Sequence, residues 1–141
     1  MLDEGLIAAY RATDYVLFIG DGGDVTLNID RHNPDFDRVL EKRGAMSAVV
    51  VTAYNPRSVV LLEAENRARH ARLTALLEER GFAYALGEGR DPTGHWKAEL
   101  ECVVFGISAE IGLDIARAFD QNAIVLVMRG GAPELLYPDL A

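Results

Sequence analysis

The fold of this chain is decided by one stretch, Ser47-Ala48-Val49-Val50-Val51-Thr52-Ala53-Tyr54-Asn55-Pro56-Arg57-Ser58. Its first part, Ser47–Ala53, has almost no alternation of apolar and polar residues, which is typical of a strand that is buried on both faces. Asn55 before Pro56 then predicts the start of a helix, because an Asn side chain can cap a helix and proline fits its first turn. The stretch therefore predicts a strand-to-helix junction.

This junction also predicts a binding site for a small anionic ligand. The residues that would form it are Thr52, Asn55, Arg57 and Ser58, together with the unpaired N–H groups at the start of the helix. In α/β proteins a helix N-terminus at the end of a strand commonly receives an anion. The alternative is that the same residues only cap the helix and tie it to the strand.

The helix after the junction is expected to run from about Arg57 to Arg80 and to stop at Gly81. Helical spacing places Leu62, Leu73, Leu76 and Leu77 on one face, with Asn66 and Arg69 between them. A polar side chain on a core face is costly unless it has a partner, so carboxylates, strand-end carbonyls, water or a ligand must meet both residues. We consider two roles for them: lining the anion site and holding the helix in place.

The rest of the chain predicts a domain of the α/β class, on the border of α+β, with helices packed on a mixed sheet. The expected elements are a helix over 2–12, strands at 15–19 and 25–29 joined by the turn 20–24, a helix opened by Asn33-Pro34, a strand at 82–86, a loop at 87–96, a strand at 100–105, a helix at 109–119 capped by Ser108, a strand at 122–128 and a short strand at 135–137. The order strand-strand-helix-strand occurs in residues 15–53 and again in 82–128. Either the chain has two similar halves bridged by the long helix, or the likeness is due to chance.

A second group of polar residues lies in the loop, where Arg90, Asp91, His95 and Trp96 come close together in the sequence and Glu99 follows. Arg90 and Trp96, with Gln121 from later in the chain, are candidates to contact the ligand from the second half. An enzyme that uses Asp91, His95 and Glu99 as acid or base is an alternative function. A plain hairpin loop is the competing interpretation. Because no nucleophile or metal-ligand set accompanies these residues, we assign no catalytic or metal-binding residue.

A third possibility is a protein-interaction or homo-oligomeric module. Four alanines recur along one stripe of the long helix, at Ala64, Ala68, Ala71 and Ala75. Small residues in such a stripe allow a second helix, or a second copy of the protein, to approach closely.

Composition limits the partners and the compartment. The 141 residues carry a net charge of −8 and no cluster of Lys and Arg, which argues against nucleic acid. No apolar run reaches the ~20 residues that a membrane span needs. The acidic Met1–Glu4 does not resemble a secretory signal, and the single Cys102 lies in an apolar run and reads as a core residue. We therefore expect a soluble cytoplasmic domain without a membrane partner, and nothing in the sequence calls for a cofactor.

Several motifs in order resemble those of the bacterial proteins grouped as domain-of-unknown-function family 3293. The residues that carry this resemblance are 52–58, then Glu65-Asn66 with Arg69 and Leu73, then 89–92 with Trp96, and finally 119–125. The resemblance extends over nearly the whole chain and implies a small stand-alone bacterial domain. It implies no catalytic residues, since the family has no assigned activity.

Overall fold

Four helices and seven strands occur in the part of the chain that the structure, a computed structural model, describes: residues 2–19 and 23–140. The helices are α1 (Glu4–Ala12), α2 (Pro34–Lys42), α3 (Glu63–Glu79) and α4 (Ala109–Ala118). The strands are β1 (Asp14–Leu17), β2 (Val25–Leu27), β3 (Ser47–Thr52), β4 (Tyr84–Arg90), β5 (Glu99–Phe105), β6 (Ile124–Met128) and β7 (Glu134–Leu136). A short 3-10 turn, Pro56–Ser58, follows β3.

All seven strands form one sheet in the order β2-β1-β4-β5-β3-β6-β7. β3 lies between β5 and β6, so that Val50 faces Val103 on one side and Val125 on the other. The prediction of a sheet with packed helices is confirmed, and the class is α+β. The described strand pairs are all antiparallel, so the expected mixed sheet is wrong in this respect. The neighbouring pairs β1–β2, β4–β5 and β6–β7 each follow one another along the chain, and such consecutive strands pair in opposite directions.

The two faces of the sheet bury two separate apolar clusters, and β3 contributes to both. Ala48 and Val50 join the cluster beneath α2, where Phe36 and Leu40 are fully buried. Val49, Val51 and Ala53 join the cluster beneath α3 and α4. Burial of each of the valine, leucine and phenylalanine side chains among them contributes about 1.5–3 kcal/mol. The missing alternation in β3 therefore has the predicted cause: helices cover both faces.

Two predicted helix starts are confirmed by their caps. The Asn33 side chain accepts a hydrogen bond from the Asp35 N–H at 2.9 Å, and the Ser108 hydroxyl accepts one from the Ile111 N–H at 3.2 Å. The predicted first hairpin is also confirmed, since β1 pairs with β2. Within its expected turn, residues 20–22 lie outside the described part of the chain.

The predicted start of the long helix at Arg57 is wrong, because α3 begins at Glu63. Asn55, Arg57 and Ser58 have positive φ angles of 44°, 53° and 61°, which a right-handed helix does not allow. The Asn55 side chain caps no helix; instead its oxygen accepts from the N–H of Leu61, at 3.0 Å. Leu62 is consequently 72 % exposed, whereas Leu73 and Leu77 are fully buried as predicted and Leu76 packs against the same cluster.

The loop predicted from Gly87 is wrong in its first part, since β4 continues to Arg90. Gly87 and Gly89 suggested a loop, but in the structure they allow neighbouring groups to come close to the strand. A Cβ atom on Gly87 would lie 2.5 Å from the Val16 carbonyl oxygen. Glycine inside a strand often marks such a close approach.

The order strand-strand-helix-strand does occur twice, as β1-β2-α2-β3 and β4-β5-α4-β6, with α3 between the two sets. The sets do not form separate halves of the sheet, because β3 of the first set is inserted between β5 and β6 of the second. Their helices also pack on opposite faces. The order of elements is therefore repeated along the chain, but their arrangement in space is not.

In residues 2–19 and 23–140, no helix combines the length and the apolar character that crossing a lipid bilayer requires. The Cys102 thiol is buried in the cluster beneath α3 and α4, as predicted for a core residue. Burial, followed by the nearby Glu101, raises the pKa of this thiol to about 12.

Candidate functional site

A cavity of about 210 Å³ lies on the α2 face of the sheet, where α1 and the segment after β3 cover it. We call it the carboxyl cavity, because two glutamates, Glu99 and Glu101, contribute to its wall. The other residues that line it are Leu6, Ala9, Tyr10, Thr13, Tyr15, Val50, Thr52, Tyr54, Asn55, Ser58, Val60, Gly89, Trp96, Gln121, Ala123, Ile124, Val125 and Leu135.

Five of the nine residues predicted to bind a ligand line this cavity: Thr52, Asn55, Ser58, Trp96 and Gln121. Besides Asn55, three of them are held by contacts with the chain itself. The Thr52 hydroxyl donates to the Leu100 carbonyl at 2.6 Å, the Gln121 amide donates to the Tyr54 carbonyl at 3.0 Å, and the Ser58 hydroxyl lies 2.9 Å from that of Tyr10. Trp96 is half exposed. Much of the hydrogen-bonding capacity of these residues is therefore already used.

Asn55 connects the cavity to α3. Its side-chain oxygen accepts from the Asn66 amide at 2.7 Å, and its own N–H donates to the Asn66 oxygen at 2.8 Å. Its side-chain amide also donates to Glu99, at 2.8 Å. Asn tolerates positive φ better than most residues, which fits its place in this turn. Asn66 is buried and lies behind Asn55, outside the lining of the cavity.

Arg69 also lies outside the cavity lining and connects α3 to the segments that follow β3 and α4. Its guanidinium donates to the Ala53 carbonyl at 2.6 Å and to the Phe119 carbonyl at 2.5 Å. The Ala53 carbonyl, at the end of β3, is of the predicted strand-end kind, whereas the Phe119 carbonyl lies at the end of α4. Burial lowers the pKa of the guanidinium. Asn66 and Arg69 thus hold the helix against the ends of β3 and α4.

Arg57 does not reach the carboxyl cavity. It is exposed, lies 3.5 Å from the Asp120 carboxylate, and lines a separate surface groove of about 670 Å³ that also contains Asp3 and Asp139. The helix N-terminus expected beside it is at Glu63, and the first turn of α3 is acidic. The features proposed to attract an anion are therefore not together in space.

The polar residues predicted to lie together in the loop around residues 90–99 are also separated in the structure. Arg90 pairs with Glu88 at 2.6 Å, and the Asp91 carboxylate accepts from the Thr93 hydroxyl at 2.7 Å and from the His95 N–H at 2.8 Å. These bonds, that of the Thr93 hydroxyl first, lower the pKa of Asp91. Glu99 is separate from this turn, since it accepts from Asn55 in the cavity wall. The three residues considered as acid or base therefore do not converge.

Glu101 is the residue that the sequence analysis missed. It is only 6 % exposed, and among the described residues its Oε1 atom has no hydrogen-bond partner. Burial raises its pKa well above the ordinary value, and Glu99 and Glu88 raise it further. The sequence did contain a signal, namely a single acid within the apolar run Leu100–Phe105.

The space around the Glu101 carboxyl depends on a glycine. A Cβ atom on Gly89 would lie 3.1 Å from Glu101 Oε1, so a larger residue there would crowd the carboxyl. Glu99, which is part-buried, also has a raised pKa, caused by burial and partly offset by the hydrogen bond from Asn55. Among the described residues, the lining contains these two carboxyls and no Lys, Arg or His. The described part of the carboxyl cavity therefore presents acceptors and no cation to an anionic ligand.

Within the described ranges, no group of three or more His, Cys, Asp or Glu side chains is arranged to hold a metal ion. The two carboxyls together with the hydroxyls of Thr13, Tyr10 and Ser58 are suited to hydrogen bonding with a small organic molecule.

Comparison with known proteins relates the chain to one family. The family model described as "Protein of unknown function (DUF3293)" matches residues 51–124, just over half of the chain. This range runs from the end of β3 to the start of β6 and includes both carboxyls of the cavity. No curated protein and no solved structure matches the chain. The match confirms the family that the sequence motifs suggested: the chain belongs to the DUF3293 family of proteins of unknown function.

Proposed function

We propose that the protein binds a small organic molecule in the carboxyl cavity. The observation that carries the proposal is the Glu101 carboxyl, buried in the cavity wall with an oxygen atom that no described residue satisfies. Leaving a buried polar group without a partner costs about 1–3 kcal/mol, and more for a charge. A bound molecule that donates a hydrogen bond would remove this cost.

The size of the cavity limits the ligand. A dry engineered cavity of about 150 Å³ holds a benzene molecule, and the carboxyl cavity has about 210 Å³. A ligand with a single ring, or a short branched chain with a polar end, fits this volume. The lining includes apolar side chains, such as Leu6, Ala9 and Val60, and the two glutamates. Few polar groups on a largely apolar lining are typical of small-molecule sites.

The expected anion site at residues 52–58 is a competing hypothesis within this function. It requires Arg57, which lines the other groove, and a helix N-terminus, which lies at Glu63. The carboxyl cavity retains Thr52, Asn55 and Ser58 from that hypothesis and replaces the basic residue with two acids. A panel of probes that contains both anions and hydrogen-bond donors distinguishes the two.

Filling the cavity tests the proposal. Ala9 lines it, whereas Ala8 on the same helix is exposed and does not. We expect single-ring compounds to raise the melting temperature of the wild-type protein and of Ala8→Leu, and to lose this effect in Ala9→Leu. Calorimetric titration of each compound that raises the melting temperature of the wild-type protein then gives its affinity. Circular dichroism of both variants without ligand controls for folding.

Two results would overturn the proposal. One is a compound that binds Ala9→Leu and the wild type equally well, because binding then occurs elsewhere. The other is the absence of any stabilising compound, together with an experimental structure in which the cavity holds only water.

Association with a second copy is a second candidate function, favoured by a separate observation. Val59, Val60 and Leu62 are 60 %, 82 % and 72 % exposed, and they precede the helix whose alanine stripe, Ala64, Ala68, Ala71 and Ala75, also faces solvent. Adjacent exposed apolar residues are typical of interaction sites. Analytical ultracentrifugation tests it: we expect a mass that rises with concentration and a monomer for Leu62→Lys. A wild-type protein that stays monomeric would contradict it.

A further inference from the structure

We infer that the ligand preferred by the carboxyl cavity is a compact organic cation, a primary amine or amidine on a single ring, whose N–H groups reach Glu101 and Glu99. This inference rests on the proposed function, since it names the chemical class of the ligand for the same cavity.

The first reason is the balance of charge in the wall. Two glutamates line the cavity, and a third, Glu88, lies close enough to raise the pKa of Glu101. In the part of the chain that the structure describes, no basic side chain lines the cavity. Glu88 has its own partner in Arg90, at 2.6 Å. Glu99 and Glu101 have no such cation. Charged groups buried in proteins are normally paired with an opposite charge or neutralised by a proton. A bound cation supplies the opposite charge that the described chain does not.

The second reason is the hydrogen-bonding capacity that the wall leaves open. Glu101 Oε1 accepts nothing from the described residues, and Glu99 receives one bond, from Asn55, on Oε1. The hydroxyl groups nearby are partly committed, since Tyr15 donates to the Tyr10 carbonyl at 2.8 Å and Thr13 donates to the Ala9 carbonyl at 2.7 Å. The cavity therefore has spare acceptors and few spare donors. An ammonium or amidinium group has several donors and no acceptor, which is the complementary pattern.

The third reason is the nature of the remaining surface. Tyr10 and Trp96 are aromatic, and Leu6, Ala9 and Val60 are apolar. The faces of aromatic rings attract organic cations as well as apolar groups. An apolar ring on the ligand would also cover the aliphatic side chains of the lining. A ligand with a cationic end and a ring at the other end thus matches both the carboxyls and the apolar part of the lining. Bare inorganic cations match only the carboxyls.

A set of single-ring probes of similar size tests the inference. Benzylamine, benzyl alcohol and benzoate share one ring and differ in charge, so calorimetric titration at one pH isolates the contribution of the charge. We expect the amine to bind the wild-type protein at least about tenfold more tightly than the alcohol, because charge-assisted hydrogen bonds are about twice as strong as neutral ones. Benzoate should bind most weakly, since its carboxylate would meet two acids.

Two variants test whether Glu101 is the carboxyl that binds the cation. Glu101→Gln keeps the shape and removes the ionisable carboxyl, whereas Glu79→Gln changes a glutamate at the exposed end of α3. We expect Glu101→Gln to lose most of the preference for the amine while it still binds the alcohol, and Glu79→Gln to behave as the wild type. If Glu101→Gln does not fold, the wild-type ranking of the three probes decides the question.

The failures are distinguishable. If the alcohol or benzoate binds the wild type as tightly as the amine, and the binding is lost in Ala9→Leu, the cation inference is wrong and the proposed function stands. If all three bind wild type and Ala9→Leu alike, the proposed function is wrong. An amine preference that persists unchanged in Glu101→Gln would overturn the assignment to Glu101.

Discussion

Two sets of buried or part-buried polar side chains lie near the end of β3, and they differ in how the chain satisfies them. On the α3 face, Asn66 bonds to Asn55 through both its oxygen and its amide, and Arg69 donates to two main-chain carbonyls. On the opposite face, Glu101 is buried to a similar degree, and its Oε1 has no described partner. The first set stabilises the fold. The second costs stability and is free to bind something else, so the difference separates a structural cluster from a candidate site.

The largest effect is expected from Arg69, on the structural side of the comparison. Arg69→Ala removes the donors to the Ala53 and Phe119 carbonyls and leaves both without these partners. We expect the free energy of unfolding to fall by about 2–4 kcal/mol, as measured by urea denaturation. Arg72→Ala, at an exposed position of the same helix, should change it by less than about 0.5 kcal/mol. Equal effects at the two positions would contradict a structural role for Arg69.

The Asn55–Asn66 pair should come next. Either single substitution by alanine is expected to lower the free energy of unfolding by about 1–3 kcal/mol, since each leaves a hydrogen-bonding group of the other residue unpaired. Because the two side chains share their bonds, the double variant should lose less than the sum of the two. A double-mutant cycle measures this coupling, which we expect to be about 1 kcal/mol. Additive losses would mean that the two residues act separately.

Glu101 should respond in the opposite direction, and its effect should depend on pH. Burial raises its pKa in the folded state above the ordinary value of 4.5, so the folded state keeps a proton that the unfolded state releases. The associated stability is complete below about pH 4.5 and is lost as the pH rises toward the folded-state pKa. The Gln side chain of the Glu101→Gln variant does not ionise in this pH range and stays neutral in both states. We therefore expect the variant to be more stable than the wild type by about 1–2 kcal/mol near pH 8, and the gap to narrow toward about pH 4.5.

Urea denaturation across this pH range, with Glu79→Gln as the control, checks the expectation for Glu101. A gap that widens on acidification would show that the carboxylate form of Glu101 is stabilised in the fold. It would also remove the contrast between the two faces of the sheet.

The smallest effect is expected from Arg57. Its ion pair with Asp120 is exposed and 3.5 Å long, and such pairs contribute about 0–1 kcal/mol. Arg57→Ala should therefore leave the free energy of unfolding within about 0.5 kcal/mol of the wild type and leave the binding of benzylamine unchanged. Titration with benzoate or phosphate sharpens this result: loss of anion binding in Arg57→Ala would restore the site at residues 52–58.

How far the sequence could predict the fold depends on the range of the interactions involved. The buried strand β3, the capped helices α2 and α4 and the first hairpin follow from local patterns and were predicted. The start of α3 was not, because an Asn-Pro pair allows both a helix cap and the left-handed turn that Asn55 adopts. Contacts with Asn66 and Leu61 select the turn.

The candidate site could be predicted only in part for a similar reason. Thr52, Asn55 and Ser58 lie next to one another in the sequence, so one motif identified them together. Tyr10 and Glu101 line the same cavity and are 91 residues apart, and no local pattern joins them. The period of two along β5 places Glu99 and Glu101 on one face, but it does not tell which face α1 covers.

The sequence by itself determined the family, the buried central strand and the polar residues that had to find partners on α3, since each depends on residue type and local spacing. Only the tertiary structure decided that those partners are main-chain carbonyls and Asn55, that Arg57 faces a different groove, and that Glu101 has no described partner for Oε1. The physical reason is that hydrogen-bond satisfaction is a property of the whole packed chain. α1, β3 and β5 come from distant parts of the sequence, and only the pairing of the strands together with the packing of α1 on the sheet brings their side chains to one cavity.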